Sequence, residues 1–271
     1  MMTVVSSLPA PVLLALDKAH SSWRPLLERS LQAMLRQSPD YFSDLCKAPY
    51  LPTQERMFAA FTRPLADTRY ILVGEGPYPR EQSATGVCFM DGAVGSLWAD
   101  DGSGLSKKVN RATSLRNFLK MLLVADGKLQ GGQTSGTAMA SVAALALQPG
   151  SGFIQTLAEL QANLEAQGFL LLNASLVFRE HVAPVKDGLA WRPFLATLLK
   201  ALQEERGAAG KALPTLILWG KVAAQLHAVA ESADYPKIEA EHPYNLSFIQ
   251  NREMQNFFSA MKLLDRTQTS V

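Results

Sequence analysis

Apolar positions along this chain follow two patterns, one spaced as on a helix and one continuous. In residues 11 to 46, most clearly in "WRPLLERSLQAMLRQ" from Trp23, apolar side chains recur every three or four positions and would line one face of a helix. "YLPTQERMFAAF", from Tyr50, reads as a further helix opened by proline. Three short runs then break this spacing: "YILVGEG" at Tyr70, "GFLLLNAS" at Gly168 and "PTLILWGK" at Pro214 are apolar over four or five residues and stop at Gly or Asn. Such runs suit strands buried on both faces of a parallel sheet. Helical patterns lie between and after them, "SLRNFLKMLLVADG" from Ser114, "FIQTLAELQANLEAQG" from Phe153 and "WRPFLATLLKALQEER" from Trp191. The alternation predicts an α/β sandwich, in which ligands sit beyond the carboxyl ends of the strands. Unusual chemistry is therefore expected at Gly74 to Pro79, at Asn173 to Ser175, and at Gly220 with Lys221.

Two stretches interrupt the pattern. Residues 91 to 112 and 126 to 141 are rich in Gly, Ser, Ala and Thr with little periodicity, and read as inserted surface loops. Otherwise the 271 residues, 48% hydrophobic and 18% charged, suffice for one sizeable core, so residues 1–271 are expected to form a single domain. A net charge of +2 neither demands nor excludes a nucleic acid. The only two cysteines, Cys46 and Cys88, cannot build a disulfide framework or a four-thiolate cluster within one chain. The opening lacks a basic start, and "AMASVAALAL" is short of a membrane span. A cytoplasmic monomer without metal, cofactor or membrane partner is the expectation.

The stretch "YILVGEGPYPREQSATGVCF" carries the most information. Gly74-Glu75-Gly76 begins like a dinucleotide fingerprint, but Pro77 and Pro79 forbid the helix that must open there, and no Gly-Lys-Ser/Thr follows. What remains is a strand that stops at Gly74 and turns through a proline-stiffened loop. That loop fixes Tyr78, and Phe89 returns at its end. Two rigid rings beside strand-end amides suit a flat, polar heterocycle such as a nucleobase. Taken singly, each ring is more readily a core residue, and the other strand ends are what shift the balance. Asn173, after four apolar residues, offers a donor and an acceptor side by side, as a base edge does, or else is a turn residue. His242, in "EAEHPYNLSF", stands before a proline turn that continues to Leu246 and Ser247, where it could act as an electrophile.

These residues together resemble the uracil-DNA glycosylases, in particular family 1, with its G-Q-D-P-Y-H motif and terminal H-P-S-P-L-S turn. Here the motifs read "GEGPYP" and "HPYNLS". The likeness runs through nearly the whole chain in the family's order, with "YLPTQERMFAAF", "TSLRNFLKML", "FLLLNASLVFREH" and "LILWGKVAAQL" at the matching places. The resemblance implies a three-layer α/β/α sandwich around a central, mainly parallel four-stranded sheet, and DNA as the partner. It also implies roles. Tyr78 would sit against C5 of a flipped base, Phe89 would stack on it and Asn173 would bond its edge. His242 would stabilise the departing base's O2. Leu246 would wedge into the duplex while Ser114, Ser247 and Lys221 grip phosphates.

The departures are as informative. The family's water-orienting carboxylate is replaced by Gly76, its motif histidine by Pro79 as in poxvirus relatives, and Ser and Pro of the terminal turn by Tyr244 and Asn245. Glu75 stands beside the missing carboxylate, as in the G-E-A-P-G motif of the iron–sulfur branch, and would take its role. The plain alternative for Glu75 is a solvated or salt-bridged strand end. Two functions of different class follow. One is a DNA glycosylase that excises uracil, or a larger modified pyrimidine such as a hypermodified viral base, in repair or antiviral defence. The other is a catalytically impaired relative that binds DNA or protein.

Overall fold

The three continuous apolar runs become strands β1 (Tyr70–Gly74), β2 (Phe169–Asn173) and β3 (Thr215–Trp219). β1 lies between the other two and is parallel to both, with Tyr70 opposite Phe169 and Thr215, and Gly74 opposite Asn173. Their central residues are buried on both faces, which is why hydrophobicity is continuous instead of alternating. A fourth strand, β4 (Lys237–Ala240), completes the order β2-β1-β3-β4. It is only partly buried, so "KIEA" carries no apolar run to announce it.

The structure, a computed structural model, describes residues 8–266. Helices, numbered in chain order, are α1 (Ala10–Asp17), α2 (Arg24–Gln37), α3 (Tyr41–Leu45), α4 (Lys107–Arg111), α5 (Thr113–Ala125), α6 (Gly136–Ala146), α7 (Leu157–Ala166), α8 (Pro184–Ala208), α9 (Lys221–His227) and α10 (Arg252–Ser259). The described residues fall into two compact units, 8–92 with 168–239 and 93–167 with 240–266.

The first unit holds the sheet with α1 to α3, α8 and α9. Alternate strand residues Ile71, Val73, Leu170, Leu172, Leu216 and Leu218 share one core with Leu27 and Leu31 of α2 and Phe194 and Leu198 of α8. Each such fully buried side chain contributes about 1.5–3 kcal/mol. A buried polar network ties this core to the segment leaving β2. Arg179 grips Asp187 through two hydrogen bonds of 2.6 and 3.1 Å. The Tyr41 hydroxyl donates to Asp187 at 2.6 Å and accepts from Trp191 Nε1 at 3.0 Å. In the second unit, α5 packs on α10 through Phe118 and Phe258, whose rings meet edge-on at 5.3 Å.

Four local expectations are corrected. Residues 50–61 form no α-helix: Gln54 and Glu55 are left-handed, at φ 58° and 57°, and only a 3-10 turn, Ala59–Phe61, follows. The segment is held instead by Leu51, which exchanges 2.9 Å backbone bonds with Phe178. The stretch 91–112 is no plain surface loop. Its Leu97, Trp98, Leu105 and Val109 are buried, Trp98 bridges to Leu105, and Ser106 caps α4 by accepting from Val109 N. In 126–141 the chain enters α6 at Gly136, whose Met139, Val142, Ala143 and Ala146 are buried. Helix α7 begins at Leu157, not Phe153, because Thr156 and Glu159 close a capping box there. No helix among the described residues is long and apolar enough to cross a membrane.

Candidate active site

The tips of β1 and β2 are packed unusually close. A Cβ at Gly74 would lie 2.8 Å from Asn173 Oδ1 and 2.9 Å from Cys88 Cβ, so only glycine lets this amide stand against the strand end. Pairing continues past the strands, with Ala174 N donating to Gly74 O at 2.8 Å and Ser175 N to Glu75 O at 3.1 Å. Asn173 is 4% exposed, and its side-chain amide hydrogen-bonds to none of the described residues. The amide atoms are not among the buried polar atoms without a partner, so they keep contact with solvent.

The loop after β1 carries Glu75, Gly76, Tyr78 and Phe89 in the same unit. Gly76 is exposed, and a Cβ there would meet only Ser175, at 3.6 and 3.8 Å. Glu75 is exposed and pairs with no cation among the described residues, which fits a solvated strand end and not a salt-bridged one. Tyr78 is half-buried, and its phenol is pushed well above the ordinary tyrosine value by burial, with Asp91 and Cys88 adding to the effect. Phe89 takes φ 67°, a left-handed backbone rarely adopted by a bulky residue. Its ring stands edge-on to Trp219, at the end of β3, with centroids 5.3 Å apart. Thr85 pins the return of this loop by donating to Met90 O at 3.0 Å. Lys221 is exposed at the start of α9, after Gly220 at φ 62°.

The second unit carries the terminal turn. Tyr244 N donates to His242 Nδ1 at 3.0 Å, so in the neutral imidazole the proton is on Nε2, which becomes a donor. Asn245 N closes the turn on His242 O at 2.9 Å. Asn117 of α5, fully buried, donates to the carbonyls of Pro243 at 2.8 Å and of Tyr244 and Asn245 at 3.3 Å. Phe248 and Ile249 anchor the turn, whereas Tyr244 and Leu246 are 67% and 68% exposed. Ser247, expected on a phosphate, donates to Glu241 at 2.6 Å, and Ser114 is half-exposed in the first turn of α5. Among the described residues no cluster of three or more His, Cys, Asp and Glu could hold a metal.

Sequence reading missed Gly74 as a spacer, Trp219 as the partner of Phe89, Glu241, and Asn117. Only Asn117 left a signal: it is the one amide among the buried positions of a helix otherwise filled there by Leu, Phe and Met.

A parallel sheet with an amide and two oriented rings at its strand ends defines an α/β protein whose candidate site lies at the carboxyl ends of its strands. No family model matches the chain. A uracil-DNA glycosylase of Nocardioides sp. is 31% identical over 198 residues, which cover 73% of this chain and 66% of that protein. A uracil-DNA glycosylase of Flavobacterium johnsoniae is 26% identical over 239 residues, covering 85% of this chain and 86% of that protein. The crystal structure of UNG from Nitratifractor salsuginis superimposes with a TM-score of 0.82 at 35% identity, over 94% of this chain and 96% of that one. The chain belongs to the uracil-DNA glycosylase superfamily and has its α/β fold.

Proposed function

We propose that this protein is a DNA glycosylase that hydrolyses the N-glycosidic bond of a flipped-out uracil or modified pyrimidine and leaves an abasic site. The observation that carries this reading is the buried, unpartnered Asn173 amide beside Gly74. An amide can pair with the adjacent donor and acceptor of a pyrimidine edge, and this one spends neither group on the described residues. Phe89 stacks on the base, and Tyr78, neutral and half-buried, stands against C5 and excludes a methyl group. As the C1′–N1 bond breaks, its electron pair passes to the base. His242 Nε2–H then donates to the negative O2, an interaction that strengthens as charge develops.

Glu75 orients the water that captures the sugar cation, accepts its proton and balances its charge. The room beside Gly76 admits a substituent that an aspartate would obstruct. Leu246 fills the space left by the extruded nucleotide, and Ser114 and Lys221 hold phosphates. Ser247 does so only after exchanging Glu241 for a phosphate oxygen.

The competing reading, a base-binding module without hydrolysis, is favoured by one observation, the absence of a side chain at Gly76. Oligonucleotides carrying uracil and a panel of modified pyrimidines, treated with the protein and then with alkali, decide between them. Strand scission on at least one base, reduced about 10²-fold by Glu75→Gln, is expected for the glycosylase. Binding without scission on every substrate establishes the module.

A further inference from the structure

Positive charge is unevenly placed in this protein. The whole chain has 26 Lys and Arg against 24 Asp and Glu, and many of these cations are neutralised locally, as at Arg24, Arg29, Lys47 and Arg179. Others, such as Arg63, Lys186 and Lys211, are exposed without an ion pair but scattered, whereas Lys107, Lys108 and Arg111 of α4 fall within five residues. All three are exposed, and none reaches a carboxylate among the described residues. Together they exceed the net charge of the chain. The nearest acidic residues in sequence, Asp100 and Asp101, lie at the tip of the hairpin whose base pairs Trp98 with Leu105, and Asp101 accepts from Ser103 N at 2.9 Å.

The helix that presents these cations is firmly seated. Val109 is fully buried beneath it, Ser106 caps its start, and Asn110 Nδ2 donates to Leu105 O at 2.8 Å. Lys107 and Arg111 are four residues apart and so share a face, with Cβ atoms about 5–6 Å apart. The helix is also wired to the terminal turn of the same unit. Arg116 donates to Asn110 O at 3.1 Å and to Asn117 Oδ1 at 3.3 Å, and Asn117 in turn holds the carbonyls of residues 243–245. An exposed apolar pair, Tyr244 and Leu246, is thereby fixed to the same scaffold as an uncompensated row of cations. Apolar wedge and cation row are the two elements with which proteins unstack a duplex and grip its backbone.

We infer that Lys107, Lys108 and Arg111 form a phosphate-binding face that holds the DNA strand flanking the flipped nucleotide. This rests on the glycosylase reading for its partner, and it assigns the task of substrate grip to the stretch 91–112, which had no role on sequence grounds. The cations meet backbone phosphates and carry no base specificity. They act equally on ground and transition state, so their removal raises KM and leaves kcat unchanged.

The test measures binding of a duplex with a stable abasic-site analogue, by fluorescence anisotropy across a salt series, for wild type and the variant K107Q/K108Q/R111Q. Lys47→Gln, which removes an exposed but ion-paired cation of the first unit, is the control. Each phosphate no longer neutralised lowers the slope of log affinity against log salt by about 0.9, so the slope of the triple variant should fall by about 2–3. Between about 50 and 200 mM salt, the wild type should then lose about 40-fold more affinity than the variant. The control should keep the wild-type slope.

Should the triple variant melt early, Arg111→Gln alone should lower the slope by about 0.9. A wild-type slope in folded variants that still excise the base overturns this inference and leaves the glycosylase reading intact. Absence of DNA binding and of excision in the wild type overturns both.

Discussion

Replacing Gly74 by alanine places a methyl group 2.8 Å from Asn173 Oδ1 and 2.9 Å from Cys88 Cβ. Relaxed contacts are about 3.5–4.0 Å, so both neighbours must yield, and they yield differently. Cys88 Cβ is fixed to a backbone whose N–H donates to Leu171 O at 3.1 Å, so relief there strains the strand end. Overpacking of this kind costs about 1–3 kcal/mol, and each kcal/mol lowers Tm by roughly 2–4 °C in a chain of this size. Asn173 ends in a rotatable amide and moves cheaply, but by about 0.5–1 Å. A reading group misplaced by about 1 Å can lose about 10²-fold in rate.

Gly74→Ala should therefore melt several degrees lower and excise about 10²-fold more slowly under single-turnover conditions. Adding Asn173→Ala should slow excision no further than Asn173→Ala does alone, because the amide is already out of place. It should restore little stability, since the clash with Cys88 persists. Wild-type excision by a folded Gly74→Ala protein would refute the positioning argument. An unchanged Tm would refute the packing argument.

Other outcomes follow from the same geometry. A Cβ at Gly76 meets only Ser175, at ordinary contact distance, and the position is exposed, so Gly76→Asp should stay within about 0.5 kcal/mol of wild type while uracil excision rises. No gain in a folded variant would show that the missing carboxylate is not limiting. Because burial raises the Tyr78 phenol, it should stay protonated through and beyond its ordinary titration range. The pH–rate profile should accordingly keep its shape in Tyr78→Phe, and an alkaline limb that vanished in that variant would contradict this. Leu246→Ala should impair excision from duplex more than from single strands, and equal losses would remove its wedge role.

What sequence could reveal depended on where each residue finds its partner. β1 to β3 were legible because strands buried on both faces must be apolar throughout, and the candidate site was nominated by the rule that parallel strands put their chemistry at the carboxyl ends. β4 was not, since a partly buried strand needs no such run. In residues 50–61 the helical spacing of Met57, Phe58 and Phe61 serves burial in the core, while Gln54 and Glu55 turn the backbone left-handed. In 91–112 the small residues of the turns mask Leu97, Trp98 and Leu105, which are buried. Asn117 left its signal as an amide among apolar helix positions, but what it holds could not be read, because those carbonyls lie 126 to 128 residues further on.

The hydroxyl that Tyr41 sets between Asp187 and Trp191 also bears on where this protein can be cut. A shortened form starting just ahead of β1 would keep every residue assigned to the ligand, yet strand the Trp191 indole N–H in the interior, at about 1–3 kcal/mol. It would also uncover the face of α8 that α2 shields. Trimming from the amino end should thus abolish soluble expression before it touches chemistry, and the leading helices are part of the smallest piece that can fold.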